Sequence, residues 1–501
     1  MSRIGRLLAA VLALGLGAGI TISSACVTAP RASAATSCDP DNTVAGDLNS
    51  DGIADVVVGV PSYDNERGAV DVLFSNGQRR LLRATDLGLP SSPGDRFGEA
   101  VTLGDVNADG CADLAIGAPG RTSGKGSVSL VKGSHNNALT LMNSFTGSAA
   151  HGSFGAQVVL LTPQELTPLG WVRTGQQLVV SAPTADDGTK WEAGQVVVLP
   201  LTRTGALASA RVTLTQNSPG IPGTSANGDR FGTALAGQGR TIVIGTPNKA
   251  VGTRKGAGSV TLLSSTAAAP TSFKGVAVTQ NSAGVPGTAE TGDQFGAAVA
   301  VRDNHVLVGV PGESLGSARY TGMVHVLHFN PVSRSYRSLR AVHQNSAGIP
   351  GSTRTGDYFG SAVALGVNTV DQLTAVVGVP GKAVGTALGA GAVTMFRANR
   401  AGGKAVTIQQ GKGGVPGKAE AADHFGATVG ILGGDLAAGE AMRDGIVVGA
   451  PGEDVGKAVD AGSVVYSRSL TSWSARVLDA ASATPPADAR YGEALASVAA
   501  P

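Results

Sequence analysis

Residues 95–119 read DRFGEAVTLGDVNADGCADLAIGAP. The stretch opens with Phe97-Gly98, passes through an Asp-rich loop and closes with Gly117-Ala118-Pro119. The rest of the chain restates it with losses. Phe-Gly or Tyr-Gly recurs at Phe97, Phe154, Phe231, Phe295, Phe359, Phe425 and Tyr491. A Gly-Ala-Pro-like end recurs at Pro61, Pro119, Pro183, Pro247, Pro311, Pro380 and Pro451. Seven of each at a near-constant spacing mean an array of like supersecondary units, none of which can bury its apolar face alone.

Each unit reads as four short strands. The Phe-Gly segment is one, and an apolar run ending at the Pro is the second. The third starts with Gly, as in GSVSLV from Gly126, GSVTLL from Gly258 and GMVHVL from Gly322. The fourth is less apolar, as in RVTLTQ from Arg211 and AVTIQQ from Ala405. Turn-rich connections follow, such as QNSPGIPG from Gln216 and QNSAGVPG from Gln280. Period-2 patterning with Gly/Pro turns and no helical periodicity places the chain among all-β folds. Seven four-stranded units predict a seven-bladed β-propeller. The front of the chain starts with a second strand, at 47–61, followed by strands at 68–74 and 79–84. The back ends on an orphan first strand from Tyr491. Together they predict a blade of three front strands plus one back strand, a 3+1 clasp that removes exposed sheet edges.

The composition agrees. The 501 residues include 73 Gly, with 4% aromatic and 15% charged residues. Arg3 and Arg6, an apolar run at 7–22 and Ala32-Ser33-Ala34 read as a secretory signal peptide over 1–34; a lipoprotein anchored at Cys26 is the alternative. The propeller then spans 35–501, in a secreted, extracellular protein. Removing 1–34 deletes three of the 38 basic residues and none of the 36 acids, so the net charge becomes 35 − 36 = −1. Such a surface draws in neither nucleic acid nor an anionic membrane, and no second apolar run is long enough to span a bilayer. Cys38 and Cys111 remain, either as one disulfide or as two unrelated thiols.

Two stretches carry metal chemistry. Asp47, Asn49, Asp51, Ile53 and Asp55 form one loop; Asp105, Asn107, Asp109, Cys111 and Asp113 form the other. Both read D-x-N-x-D-G-x-x-D. Positions 1, 3, 5 and 9 bring side-chain oxygens, and position 7 (Ile53 or Cys111) brings a main-chain carbonyl. Calcium takes six to eight hard oxygens in a flexible shell, and three carboxylates this close would repel one another without a cation. The reading is two structural Ca2+ sites. The other units lack the ligands, and the acidic stretch 435–444 is out of register. Gly312-Glu313-Ser314-Leu315-Gly316 matches a serine-hydrolase elbow but lies between two predicted strands, where the elbow needs a helix. His325 and His328, three apart in a strand, point to opposite faces. The turn residues Asp229, Asp293 and Asp357 read as local backbone partners. The repeated Phe residues read as packing between blades, and Trp171, Trp191 and Trp473 do not share a slot.

The FG…DxNxDGxxD…GAP phrase resembles the FG-GAP repeat of the integrin alpha-subunit N-terminal propeller, and secreted bacterial proteins with that repeat still more closely. The resemblance covers nearly the whole mature chain, with two repeats clear in every element and five keeping only their ends. It implies a seven-bladed propeller with calcium in some blades and a role in protein interaction or adhesion. A carbohydrate-binding lectin-like propeller and, less well supported, a propeller hydrolase or lyase are the other readings. The partner is an unknown extracellular protein or glycan. It is expected on the face that carries the loops 62–67, 184–193 and 313–320, opposite the metal loops.

Overall fold

The computed structural model describes residues 37–40, 44–162, 164–167, 170–173, 175–368, 372–400, 402, 405–433, 444–470, 475–479 and 489–498. The segment 1–34, Cys26, Trp473, the side chain of Trp171 and residues 435–443 lie outside that set.

Seven blades of four antiparallel strands follow one another. Blade 1 pairs Ala494–Leu495 with Val56–Val60, Ala69–Leu73 and Arg79–Leu82. Blade 2 runs Ala100–Gly104, Asp113–Ala118, Ser127–Lys132 and Thr140–Thr146. Blade 3 runs Val158–Leu161, Gln177–Ala182, Gln195–Pro200 and Val212–Leu214. Blades 4 to 7 repeat the pattern, their first strands at Ala234–Gln238, Ala298–Arg302, Val363–Val367 and Thr428–Leu432. The seven first strands enclose an axial channel of about 330 Å³.

The motif that dominates the sequence is the joint between blades. A Cβ on Gly117, of the Gly-Ala-Pro end, would lie 2.0 Å from the carbonyl oxygen of Gly155 in the next blade. Gly245 meets Gly296 and Gly309 meets Gly360 in the same way. Only a residue without a side chain allows that approach. The adjoining aromatic then fills the gap. Each of the seven hydrophobic clusters of the described residues holds one of the repeated aromatics, from Phe97 and Phe154 round to Tyr491. Truncating such a buried ring to Ala costs about 3–5 kcal/mol. The Gly expected to start each third strand instead stands just before it and bridges to the aromatic of the next blade, as Gly68 to Phe97 and Gly322 to Phe359.

The clasp is present, in a shorter form than expected. Leu495 lies opposite Val58 and Ala494 opposite Gly59. The tail then leaves blade 1, and Ser497–Val498 pairs in parallel with Thr102 and Leu103 of blade 2. It therefore ties two blades. The seam also explains why the seventh aromatic is Tyr. Its hydroxyl donates to Asp71 Oδ2 at 2.6 Å, and Arg79 meets the same carboxylate at 2.5 Å. Burial pushes the Tyr491 phenol well above its usual range, which keeps it a donor.

Three local features differ from the sequence reading. The strand at Arg79 stops at Leu82, and Ala84–Leu87 forms a 3-10 turn. Blade 3 carries an extra hairpin, Gln164–Thr167 with Gly170–Arg173, between its first two strands. Four-residue helical turns occur at Tyr63–Glu66 and Arg121–Gly124, each with three residues at positive φ. Among the described residues no helix is long and apolar enough to cross a membrane.

Candidate functional site

The two Asp loops fold alike. In the first, Asp47 Oδ1 accepts the N–H of Asn49 and Asp51 at 3.2 Å each, and Oδ2 accepts Gly52 at 2.7 Å. In the second, Asp105 accepts the N–H of Asp109 and Gly110 at 3.2 Å each. Asp55 takes the N–H of Leu48 and Ser75, both at 2.8 Å; Asp113 takes Val106 at 2.8 Å and Gly133 at 3.2 Å. The tight turn uses a left-handed residue at Ser50 and Ala108, then Gly52 and Gly110 at φ 85° and 89°.

The donor chemistry suits a hard divalent cation. Every side chain turned inward offers oxygen, and the Ile53 and Cys111 carbonyls accept no hydrogen bond from the described residues. Burial pushes Asp55 up to about 8 and Asp113 up to about 7, with neighbouring Asp residues adding to the rise. A bound cation reverses that balance. The carboxylates of each loop are nonetheless spread. Among the described residues, the one trio of His, Cys, Asp or Glu ligand atoms within 4.8 Å of one another is Cys38, Asp109 and Cys111. Its two sulfurs are bonded to each other, so it is not a metal centre. The loops also differ at their third acid. Ser75 Oγ donates to Asp51, whereas Lys132 Nζ pairs with Asp109 at 2.9 Å.

A short lead-in joins the loops. The Cys38–Cys111 disulfide closes, with Cα atoms 5.4 Å apart. Asp39 donates its N–H to Ser50 Oγ at 3.0 Å, and its carbonyl packs where a Gly110 side chain would stand. Ala112 N–H reaches Asp47 O at 2.7 Å. In blades 4 and 5 the corresponding turns are short, between Gln238 and Thr241 and between Arg302 and His305. Asp444 pairs with Arg302 at 2.7 Å.

The remaining motifs fall into place. Ser314 stands just before a turn closed by Leu315 and Ala318, between two strands, and accepts the Tyr320 N–H at 3.3 Å. That is not an elbow. His325 is buried against Phe295, while His328 meets His305 on the other face. Asp229, Asp293 and Asp357 each accept a backbone N–H three residues upstream. At one mouth of the channel the repeat symmetry breaks at two glutamates, which the sequence reading missed: Arg96 pairs with Glu99 at 2.6 Å, and Ser62 donates to Glu493 at 3.0 Å. The Arg96–Glu66 pair is part of the repeat, matched by Arg230–Glu192.

The face opposite the Asp loops exposes apolar side chains in register. Trp191, Leu388 and Val459 each stand three residues before the Gly that precedes a third strand, and are 56%, 72% and 56% exposed. Tyr320 and Tyr358 stack on the same face at 5.9 Å, both exposed. Trp191 was noted in the sequence. Its correspondence with Leu388 and Val459 shows only when the loops are aligned on that Gly.

A family model described as FG-GAP repeat matches residues 41–73 and 97–131. Integrin alpha-PS5 of Drosophila melanogaster is 41% identical over 106 residues, covering 19% of this chain and 10% of that protein. Phosphatidylinositol-glycan-specific phospholipase D of Mus musculus is 31% identical over 170 residues, 29% of this chain and 18% of its own length. Integrin alpha-6 of Homo sapiens is 40% identical over 83 residues, 16% of this chain and 7% of its own. The chain thus spans less than a fifth of these relatives. Both sides of the match, the Phe-Gly joint and the Gly-Ala-Pro end, are what hold one blade to the next in the structure. The chain carries FG-GAP repeats, is folded as a seven-bladed β-propeller, and is similar through those repeats to integrin alpha subunits.

Proposed function

We propose that the protein is an exported interaction module, braced by calcium on one face and binding another protein through the opposite one. The observation that carries the reading is the set of exposed apolar tips at Trp191, Leu388 and Val459, on blades 3, 6 and 7, with the stacked Tyr320–Tyr358 pair on the same face. Large rigid aromatics presented on loops of a fixed scaffold are what protein interfaces use as anchors. Charge is mixed and low, which matches a protein partner better than a polyanion. The relatives whose names include integrin support the same class of role.

Asp47, Asn49, Asp51, Ile53 and Asp55 would hold one ion, and Asp105, Asn107, Asp109, Cys111 and Asp113 the other. Each ion would neutralise three clustered carboxylates and stiffen the long turn beside the disulfide. Replacing Trp191, Tyr320, Tyr358, Leu388 and Val459 with Ser should abolish capture of a protein partner from the producing organism's surface while the melting temperature holds. Retained capture would refute the assignment of the face. Binding to a glycan array that depends on Trp191 alone would move the function to carbohydrate recognition.

A further inference from the structure

Blades 4 to 7 repeat one buried polar slot with one substitution. Three parts form it: a Gln that opens the inter-blade connection, the Asp of the turn before Phe-Gly, and the second residue after the Pro. In blade 4 these are Gln216, Asp229 and Lys249; in blade 6, Gln344, Asp357 and Lys382. Lys249 Nζ donates to Asp229 Oδ2 at 2.6 Å, to Gln216 Oε1 at 3.1 Å and to the Thr224 carbonyl. Lys382 Nζ donates to Gln344 Oε1 and, at 3.0 Å, to the Ser352 carbonyl, with Asp357 at 3.6 Å. The fold thus places one positive charge among an amide oxygen, a main-chain carbonyl and a carboxylate.

Blades 5 and 7 keep the cage and replace the cation with an acid. The residues are Gln280, Asp293 and Glu313 in one, and Gln410, Asp423 and Glu453 in the other. The amide there is turned over. Gln280 Nε2 donates to Glu313 at 2.6 Å, and Gln410 Nε2 donates to Glu453. Both Gln Oε1 atoms are left buried without a partner, on side chains 1% and 4% exposed. In blade 6 the matching amide gives Oε1 to the lysine and Nε2 to Asp357 at 2.7 Å. The orphaned oxygen therefore lies on the side where the Asp is met, acceptor toward acceptor. Among the described residues, none of Asp293, Glu313, Asp423 and Glu453 makes an ion pair. An unpaired buried acceptor costs about 1–3 kcal/mol, and two carboxylates in one pocket repel.

We propose that Gln280–Asp293–Glu313 and Gln410–Asp423–Glu453 are two further cation sites, each taking a divalent metal ion such as calcium where blades 4 and 6 place a lysine ammonium. The charge arithmetic closes in both cases. One carboxylate meets one ammonium, and two carboxylates meet one divalent ion. The oxygen set is hard throughout: amide, two carboxylates and, by register with Thr224 and Ser352, the carbonyls of Thr288 and Lys418, with water completing the shell. A single shared proton would meet the amide oxygen but leave one buried carboxylate charged, with no counter-ion. Burial also pushes Glu313 and Glu453 up to about 7, the cost of holding the acids there without a counter-ion.

The test is a count of bound calcium by equilibrium dialysis and native mass spectrometry at neutral pH. The parent protein is compared with Glu313→Lys, Glu453→Lys and the double variant. Each lysine should remove one ion, and the double variant two, whatever the Asp loops of blades 1 and 2 bind. The lysines reproduce blades 4 and 6, so the variants should melt higher than the parent in EDTA. An unchanged ion count overturns the proposal, including when the melting point in EDTA rises, because the slots then hold protons. Should a lysine variant fail to fold, Glu313→Gln and Glu453→Gln supply the same readout: calcium affinity at these slots falls at least tenfold, or the proposal fails.

Discussion

Blades 1 and 2 and blades 4 to 7 share one apolar frame and handle buried charge in different ways. The first pair carries long acidic turns, a disulfide and the Tyr491–Asp71–Arg79 knot, all near the place where the ring is closed. Blades 4 and 5 have short first hairpins, and blades 4 to 7 place charge in the connection between blades, around Gln, Asp and Lys or Glu. The packing unit is therefore fixed by the repeat, while polar burial is solved blade by blade. The seam needs added fastening because its first strand arrives from the far end of the chain and pairs over two residues only. The first strands of the other blades pair over four or five residues and come from the same stretch of sequence as their partners.

The comparison can be broken hardest on the seam side. Chelation should remove up to about 2.7 kcal/mol for each Asp loop at a hundredfold excess of calcium over its Kd, about 5 kcal/mol for both. Denaturant melts with and without EDTA measure this, and Asp51→Asn with Asp109→Asn should abolish the difference for these loops. The second loop should be the weaker, because Lys132 already meets Asp109; Lys132→Ala should tighten calcium there severalfold by titration calorimetry.

On the other side, Lys249→Ala strands the buried Asp229 and should cost about 3–5 kcal/mol in urea unfolding. A loss below 1 kcal/mol would show that the slot tolerates an unmet carboxylate, and would remove the contrast with blades 5 and 7.

His325 sharpens the same side. It stands in the strand position held by Thr261 and Thr394 in neighbouring blades, and by Asp71 at the seam. Its two ring nitrogens have no partner, and burial pushes it down from 6.5 to about 4. A depressed histidine binds fewer protons folded than unfolded. Its contribution is present above pH 6.5 and is lost as pH falls through 4, by about 3 kcal/mol in all. His325→Thr should flatten the stability profile between those values; an unchanged slope would place the acid sensitivity elsewhere.

The smallest effect is expected from Tyr491→Phe. It restores the ordinary aromatic of the joint and removes one hydrogen bond to Asp71, which keeps Arg79. The cost should be about 1–2 kcal/mol. Hydrogen exchange should show faster opening of residues 491–496 than of blades 4 to 7. Uniform protection would mean that the hydroxyl does not fasten the seam.

Much of this was legible in the sequence because the period is local. The Phe-Gly and Gly-Ala-Pro ends mark where each strand starts and stops, and the oxygen-bearing residues of each Asp loop lie within nine residues of one another. The two cysteines could be counted but not paired, since pairing depends on a lead-in folding back across residues 73 apart in sequence. The slot of Gln280, Asp293 and Glu313 was hidden for the same reason. Its parts lie up to 33 residues apart, and Asp293 alone reads as a turn residue, which it also is.

By itself the sequence determined the number of blades, the four-strand unit, the order of closure and the loops that offer oxygen to a cation. These depend on spacing, patterning and the absence of side chains at the joint glycines. Tertiary structure alone decided that the tail crosses from blade 1 to blade 2, that Tyr491 reaches Asp71, that Leu388 and Val459 line up with Trp191, and that two buried amides face acids where their neighbours face lysines. Each of those depends on distance between segments far apart in the chain, set when seven apolar layers close into a ring.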